Sequence, residues 1–94
     1  MRKFMIEREI EGVGAFDACQ LQQAAETSNS ALARLAPRVQ WQQSYVTGNR
    51  TYCVYLAEDE SAIRAHAELS GFPANRITEI TSVIDPSTAA ARGT

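Results

Sequence analysis

Apolar and polar residues alternate along several stretches of this chain, and helical spacing replaces the alternation between them. Phe4, Ile6 and Ile10 fall on one side of a strand read from about Arg2 to Ile10, while Glu7 and Glu9 fall on the other. Residues 39–47 and 50–57 alternate around Gly48-Asn49, a pair suited to a two-residue hairpin of the glycine-first type. A last strand spans about Arg76 to Ile84, before Asp85-Pro86. Gly12 and Gly14 break the first strand. Asp17, with Gln20 three residues on, then forms a capping box. Leu21, Ala25, Leu32 and Leu35 recur at helical spacing, with small Ser28 in the remaining position, until Pro37 stops the helix. Asp59 caps a second helix over Glu60 to Ser70, and Gly71 followed by Pro73 ends it.

This β-α-β-β-α-β order predicts an α+β, ferredoxin-like domain over residues 1–86. It has a four-stranded antiparallel sheet, both helices on one face, and the first and third strands in the middle. Residues 87–94 read as a flexible C-terminal tail. With a two-residue hairpin loop, Tyr45 faces Tyr52, Ser44 faces Cys53 and Gln42 faces Tyr55. Trp41, Tyr45, Tyr52, Val54 and Leu56 then join Phe4 and Ile6 against the helices. Gln40, Gln42, Ser44, Cys53 and Tyr55 are expected on the opposite face, beside Met5, Glu7 and Glu9.

Ninety-four residues with 45% hydrophobic content suffice for one core. A net charge of −2 gives no basic footprint, which argues against a nucleic-acid partner. No apolar run approaches the roughly 20 residues that span a bilayer. Glu7, Arg8 and Glu9 deny the N-terminus a signal-peptide core, so the expected setting is cytoplasmic, without membrane attachment. Cys19 and Cys53 are then reduced thiols, and no CxxC pair exists.

The face expected to display Glu7, Glu9, Gln42, Ser44, Cys53 and Tyr55 offers carboxylate, thiol, amide and phenol donors, a mixture that suits a metal or a small polar ligand. From spacing alone, a solvated sheet surface or a homodimer interface is the more usual reading of such a face. His66, the one histidine, lies near the edge of the second helix's apolar stripe, as a metal ligand or as a packed residue. Cys53 reads also as a small buried hydrophobe, and Cys19 as core or boundary of the first helix. No Ser-His-Asp spacing, phosphate loop or HExxH motif is present.

Four segments together resemble a known family. They are Phe4-Met5-Ile6-Glu7-Arg8-Glu9-Ile10 with Gly12 and Gly14, Gln40 to Val46, Tyr52 to Ala57 with Glu60 and His66-Ala67, and Gly71 to Ile77. The family comprises small bacterial proteins of ferredoxin-like fold, some of them described as nickel-binding or nickel-responsive, and the resemblance covers about residues 2–86. It implies a homodimer, similar to dimeric α/β-barrel proteins, that binds nickel. Glu7, Glu9, Cys53, Tyr55 and His66 are the candidate metal positions within the matching motifs.

Three readings follow. The first is a metal-binding homodimer, with nickel favoured by the resemblance and other divalent transition metals accepted by the donor chemistry. The second is a small enzyme or ligand-binding protein with His66, Tyr55 and Glu7 converging on an enclosed, largely apolar pocket. The third is a plain dimerisation module with a filled interface and no pocket.

Overall fold

The computed structural model describes residues 1–91. The elements are β1 (Arg2–Glu9), α1 (Ala18–Leu35), β2 (Val39–Val46), β3 (Arg50–Ala57), α2 (Glu60–Ser70), β4 (Arg76–Ile80) and α3 (Thr88–Ala91), with a single 3-10 turn at Val13–Ala15. The strands form one antiparallel sheet in the order β2-β3-β1-β4. Side chains of α1 and α2 pack with one face of it around Phe4, Ile6, Tyr55 and Ile63. This is the ferredoxin-like arrangement that the order of elements predicts.

Local signals set the helix ends. Asp17 accepts from the Gln20 N–H at 2.8 Å, and the Gln20 side chain accepts from the Asp17 N–H at 2.9 Å, completing the capping box. Asp59 accepts from the Ala62 N–H at 3.0 Å to start α2, and Gly71 ends it at φ 79°, a left-handed position that glycine takes without strain. The last strand is shorter than its sequence suggests. β1 begins at Arg2, and Lys3 pairs with Ile80, so beyond residue 81 the chain has no neighbour along which to continue the ladder. Thr88–Ala91, within the expected tail, form one helical turn behind Asp85, and residues 92–94 lie outside the described residues.

The assignment of residues to the two faces of the hairpin differs from the alternation reading. Tyr45 does face Tyr52 and Ser44 does face Cys53, but an irregularity between Trp41 and Gln43 brings Trp41, not Gln42, opposite Tyr55. The extra residue keeps Trp41 and Ser44 on the same side, where the Trp41 indole N–H donates to Ser44 Oγ at 2.9 Å. It also turns Tyr45 to the helix-free face, away from Trp41. On β3 both alternating sets are partly apolar, so alternation does not choose between them. Pairing with β1 does. Phe4 is opposite Tyr55 and Ile6 opposite Cys53, which places Cys53 and Tyr55 in the core and leaves Tyr52, Val54 and Leu56 beside Met5 and Glu7.

The segment after β1 clasps the hairpin tip. The Ile10 N–H donates to Asn49 O at 2.9 Å, the Gly12 N–H to Asn49 Oδ1 at 2.9 Å, and the Gly14 N–H to Gly48 O at 3.0 Å. Among the described residues only Gly12 and Gly71 take a positive φ, so Gly48 does not adopt the left-handed angle of a glycine-first turn. Among the described residues no helix is long and apolar enough to cross a membrane.

A cavity beneath the first helix and the scattered metal candidates

Between α1 and the sheet lies a cavity of about 390 Å³. Its floor is made by Arg8, Trp41, Ser44, Cys53 and Tyr55 of the three neighbouring strands. Leu21, Ala24, Ala25 and Ser28 of α1 form the roof, with Val13 and Phe16 at one end. The small residues of α1 hold this space open, since alanine and serine reach less far toward the sheet than leucine would. Leu21 and Val46, both lining residues, are 39% and 44% exposed, which gives the cavity an apolar mouth.

The polar atoms of the inner wall form a connected set. Arg8 is only 2% exposed, on the same face of β1 as Phe4 and Ile6. Its Nη1 donates to the Pro73 carbonyl at 2.7 Å and, more weakly, to that of Phe72 at 3.5 Å. Its Nη2 donates to Tyr55 Oη at 3.4 Å. The guanidinium also lies 5.9 Å from the ring centres of both Tyr55 and Phe72, within cation–π range. Burial pushes the Tyr55 phenol up from its ordinary value, and the positive charge of Arg8 works against that rise.

Behind this wall, His66 is fully buried and tilts against Tyr55 at 5.1 Å between ring centres. Its Nε2 lies 3.1 Å from Ser28 Oγ, while its Nδ1 is buried without a partner. The tautomer that wastes no donor therefore carries its proton on Nε2 and gives it to Ser28. Burial, reinforced by the charge of Arg8, lowers the imidazole to about 4, so it is neutral at pH 7.

The five candidate metal positions do not converge. Glu7 and Glu9 lie on the helix-free face, engaged by Arg50 at 3.8 and 3.2 Å, with Arg76 at 3.8 Å from Glu7. Cys53, Tyr55 and His66 belong to the core on the other side of the sheet. The expected juxtaposition of Glu7 and Glu9 with Cys53 and Tyr55 is thus corrected by the strand pairing, and His66 sits at the centre of its buried stripe rather than near its edge. Glu7 is likewise separated from Tyr55 and His66 as an acid/base partner. Among the described residues no three His, Cys, Asp or Glu side chains come together to hold a metal ion. The unpartnered Nδ1 of His66 is a single donor, in a region whose nearby charge is the cationic Arg8, so the core residues of one chain do not fit nickel. Cys19, expected at the core or its boundary, is exposed.

Alternation alone did not single out Arg8, Ser28, Trp41 or Phe72 as cavity residues. One signal was available: Arg8 occupies the apolar phase of its strand, two residues beyond Ile6.

The comparisons with known proteins agree with this architecture. The crystal structure of SCO4226 from Streptomyces coelicolor A3(2) matches with a TM-score of 0.71 and 22% identity, covering 87% of this chain and 99% of that one, a likeness of fold. No curated protein matches the chain. A family profile described as nickel responsive protein SCO4226-like matches residues 4–80. With most of its length matched, the chain belongs to the SCO4226-like family of nickel responsive proteins.

Proposed function

We propose that this chain is a small-ligand-binding protein that takes a largely apolar organic molecule between α1 and the sheet, and that it acts as a homodimer. The observation carrying the ligand reading is the cavity of about 390 Å³, apolar at its mouth and polar at its inner wall. That volume lies at the lower end of the range of about 300–1,000 Å³ typical of ligand sites. The homodimer reading rests on the helix-free face. Met5, Tyr52 and Leu56 are half-buried there, and Glu7 and Glu9 alternate with Arg50 and Arg76. A face carrying both signs beside apolar side chains suits pairing with its own copy about a two-fold axis.

A fluorescence titration with N-phenyl-1-naphthylamine, a neutral apolar probe, tests the ligand reading. Wild type should bind it saturably with a blue-shifted emission, and Ala25→Trp, which fills the roof, should lose that binding while remaining folded. Equal binding by the two proteins, or none by wild type, would reject the cavity as the site.

The family's description favours a second reading, a nickel-linked role. Direct nickel binding would draw on Glu7 and Glu9, because a second copy covering their face would bring its own carboxylates to them. Elemental analysis of untagged protein, followed by calorimetry with nickel on wild type and Glu7→Gln, tests this reading. No binding by wild type at sub-millimolar nickel would remove it.

A further inference from the structure

We infer that the ligand of this cavity carries a negatively charged head, a carboxylate or a group of similar size, received by the guanidinium of Arg8. The inference rests on the cavity being a ligand site and adds the ligand's chemical class.

Arg8 is buried and lines the cavity. Every partner the protein gives it is neutral: two backbone carbonyls, a phenol and two aromatic faces. Five of the other described arginines, Arg2, Arg38, Arg50, Arg64 and Arg76, pair with a carboxylate, and Arg34, which does not, is exposed to water. Among the described residues no carboxylate pairs with Arg8. Removing a cation from water costs several kcal/mol even after local relaxation, and neutral acceptors offset that less well than an anion does. The bonds to Phe72 and Pro73 use Nη1 and the bond to Tyr55 uses Nη2, so Nε–H has no protein acceptor among the described residues. A guanidinium has five N–H donors, in a fork that matches a carboxylate.

The surrounding groups fit the same assignment. Tyr55 Oη stands 3.4 Å from Arg8 Nη2 on the cavity floor and can donate its own proton to an arriving anion. Ser28, Ser44 and Thr51 also line the space. His66 lies behind Ser28 and is neutral at pH 7, so it brings no competing positive charge. The apolar mouth near Leu21 and Val46 would cover the ligand's hydrocarbon body. The geometry therefore orders the ligand, with its anionic end inward at Arg8 and its apolar end outward.

Octanoate and octanamide share a chain and a shape but differ in charge, and calorimetry with both tests the assignment. For the wild-type protein, octanoate should bind about tenfold or more tightly than octanamide, as expected for a charge-assisted contact. Arg8→Gln should abolish that preference, bringing octanoate to the affinity that octanamide has for the same variant. Arg8→Lys, which keeps the charge but not the fork, should retain part of it. Octanamide binding as tight as octanoate in wild type would overturn the inference, leave the cavity reading standing, and make Arg8 a clasp for the Phe72-Pro73 segment. Neither compound binding, nor the naphthylamine probe, would overturn both. The wild-type ratio decides the question even if Arg8→Gln does not fold.

Discussion

His66 Nε2 lies 3.1 Å from Ser28 Oγ, joining α2 to α1 through the only histidine of the chain and one of the two buried residues of the first helix. The contact fixes the distance between the helices at the inner end of the cavity roof. It also makes the protein's stability depend on an uncharged imidazole. The folded value of about 4 lies below the ordinary 6.5, so the unfolded chain takes up the proton first as pH falls. The resulting contribution is complete above about 6.5 and is lost as pH falls from there to about 4, on the order of 3 kcal/mol. Urea unfolding at pH 7 and pH 4.5 should show a clear loss for wild type and a smaller one for His66→Gln. Equal losses would mean that His66 titrates as an ordinary histidine.

Gly14 should not tolerate a side chain. A Cβ there would stand 2.6 Å from Thr47 O and 2.8 Å from Gly48 Cα, both backbone atoms of the hairpin. Relief requires the segment after β1 to withdraw, which breaks the Gly14 N–H to Gly48 O bond. Gly14→Ala should therefore cost about 1–3 kcal/mol and speed amide exchange at Ile10, Gly12 and Gly14. Unchanged exchange at all three amides would show that the clasp survives the methyl group.

Ile63 is 1% exposed and packs in the cluster formed by Phe4, Ile6 and Tyr55. Ile63→Ala leaves a void under α2, and a loss of about 2–5 kcal/mol is expected. Denaturant unfolding measures it, and a loss under 1 kcal/mol would indicate that α2 collapses onto the sheet to fill the space.

The two thiols should separate kinetically. Cys19 is exposed on α1 and Cys53 is buried between Ile6 and Ser44 on the sheet. Ellman's reagent should modify one thiol of the native protein quickly and the other only on unfolding, and Cys19→Ser should abolish the fast phase. A fast phase that persists in Cys19→Ser would place Cys53 within reach of solvent, through the cavity it lines.

Leu56 stands on the helix-free face, opposite Lys3 and Gln40. If that face joins two copies, Leu56→Arg should bring a cation against its own copy across the interface and shift sedimentation from dimer toward monomer. A wild type that sediments as a monomer at micromolar concentration would remove the dimer altogether.

Much of the fold was legible in local sequence because local physics sets it. The Asp17 and Gln20 pair, Asp59, Gly71 and the turn at Gly48-Asn49 act over a few residues, and they correctly predicted the helix starts, the stop of α2 and the position of the hairpin. The order of elements then predicted the sheet, since few arrangements bury two helices against four short strands.

Which side chains meet was decided by tertiary structure. Alternation states that Cys53 and Tyr55 share a face, but β3 is apolar on both faces, and only its register with Phe4 and Ile6 turns that pair toward the helices. The extra residue near Gln42 has no signature in an alternating run, yet it unites Trp41 with Ser44 and sends Tyr45 to the other side. Arg8 was visible as a charged residue in an apolar phase. Its lack of a carboxylate became visible only once the chain had folded and the acidic side chains had found other partners. Short-range hydrogen bonds and chain stiffness are written residue by residue, and so the sequence by itself determined the elements and their order. Strand register and the space left beneath a helix depend on contacts between segments tens of residues apart, and only the tertiary structure decided them.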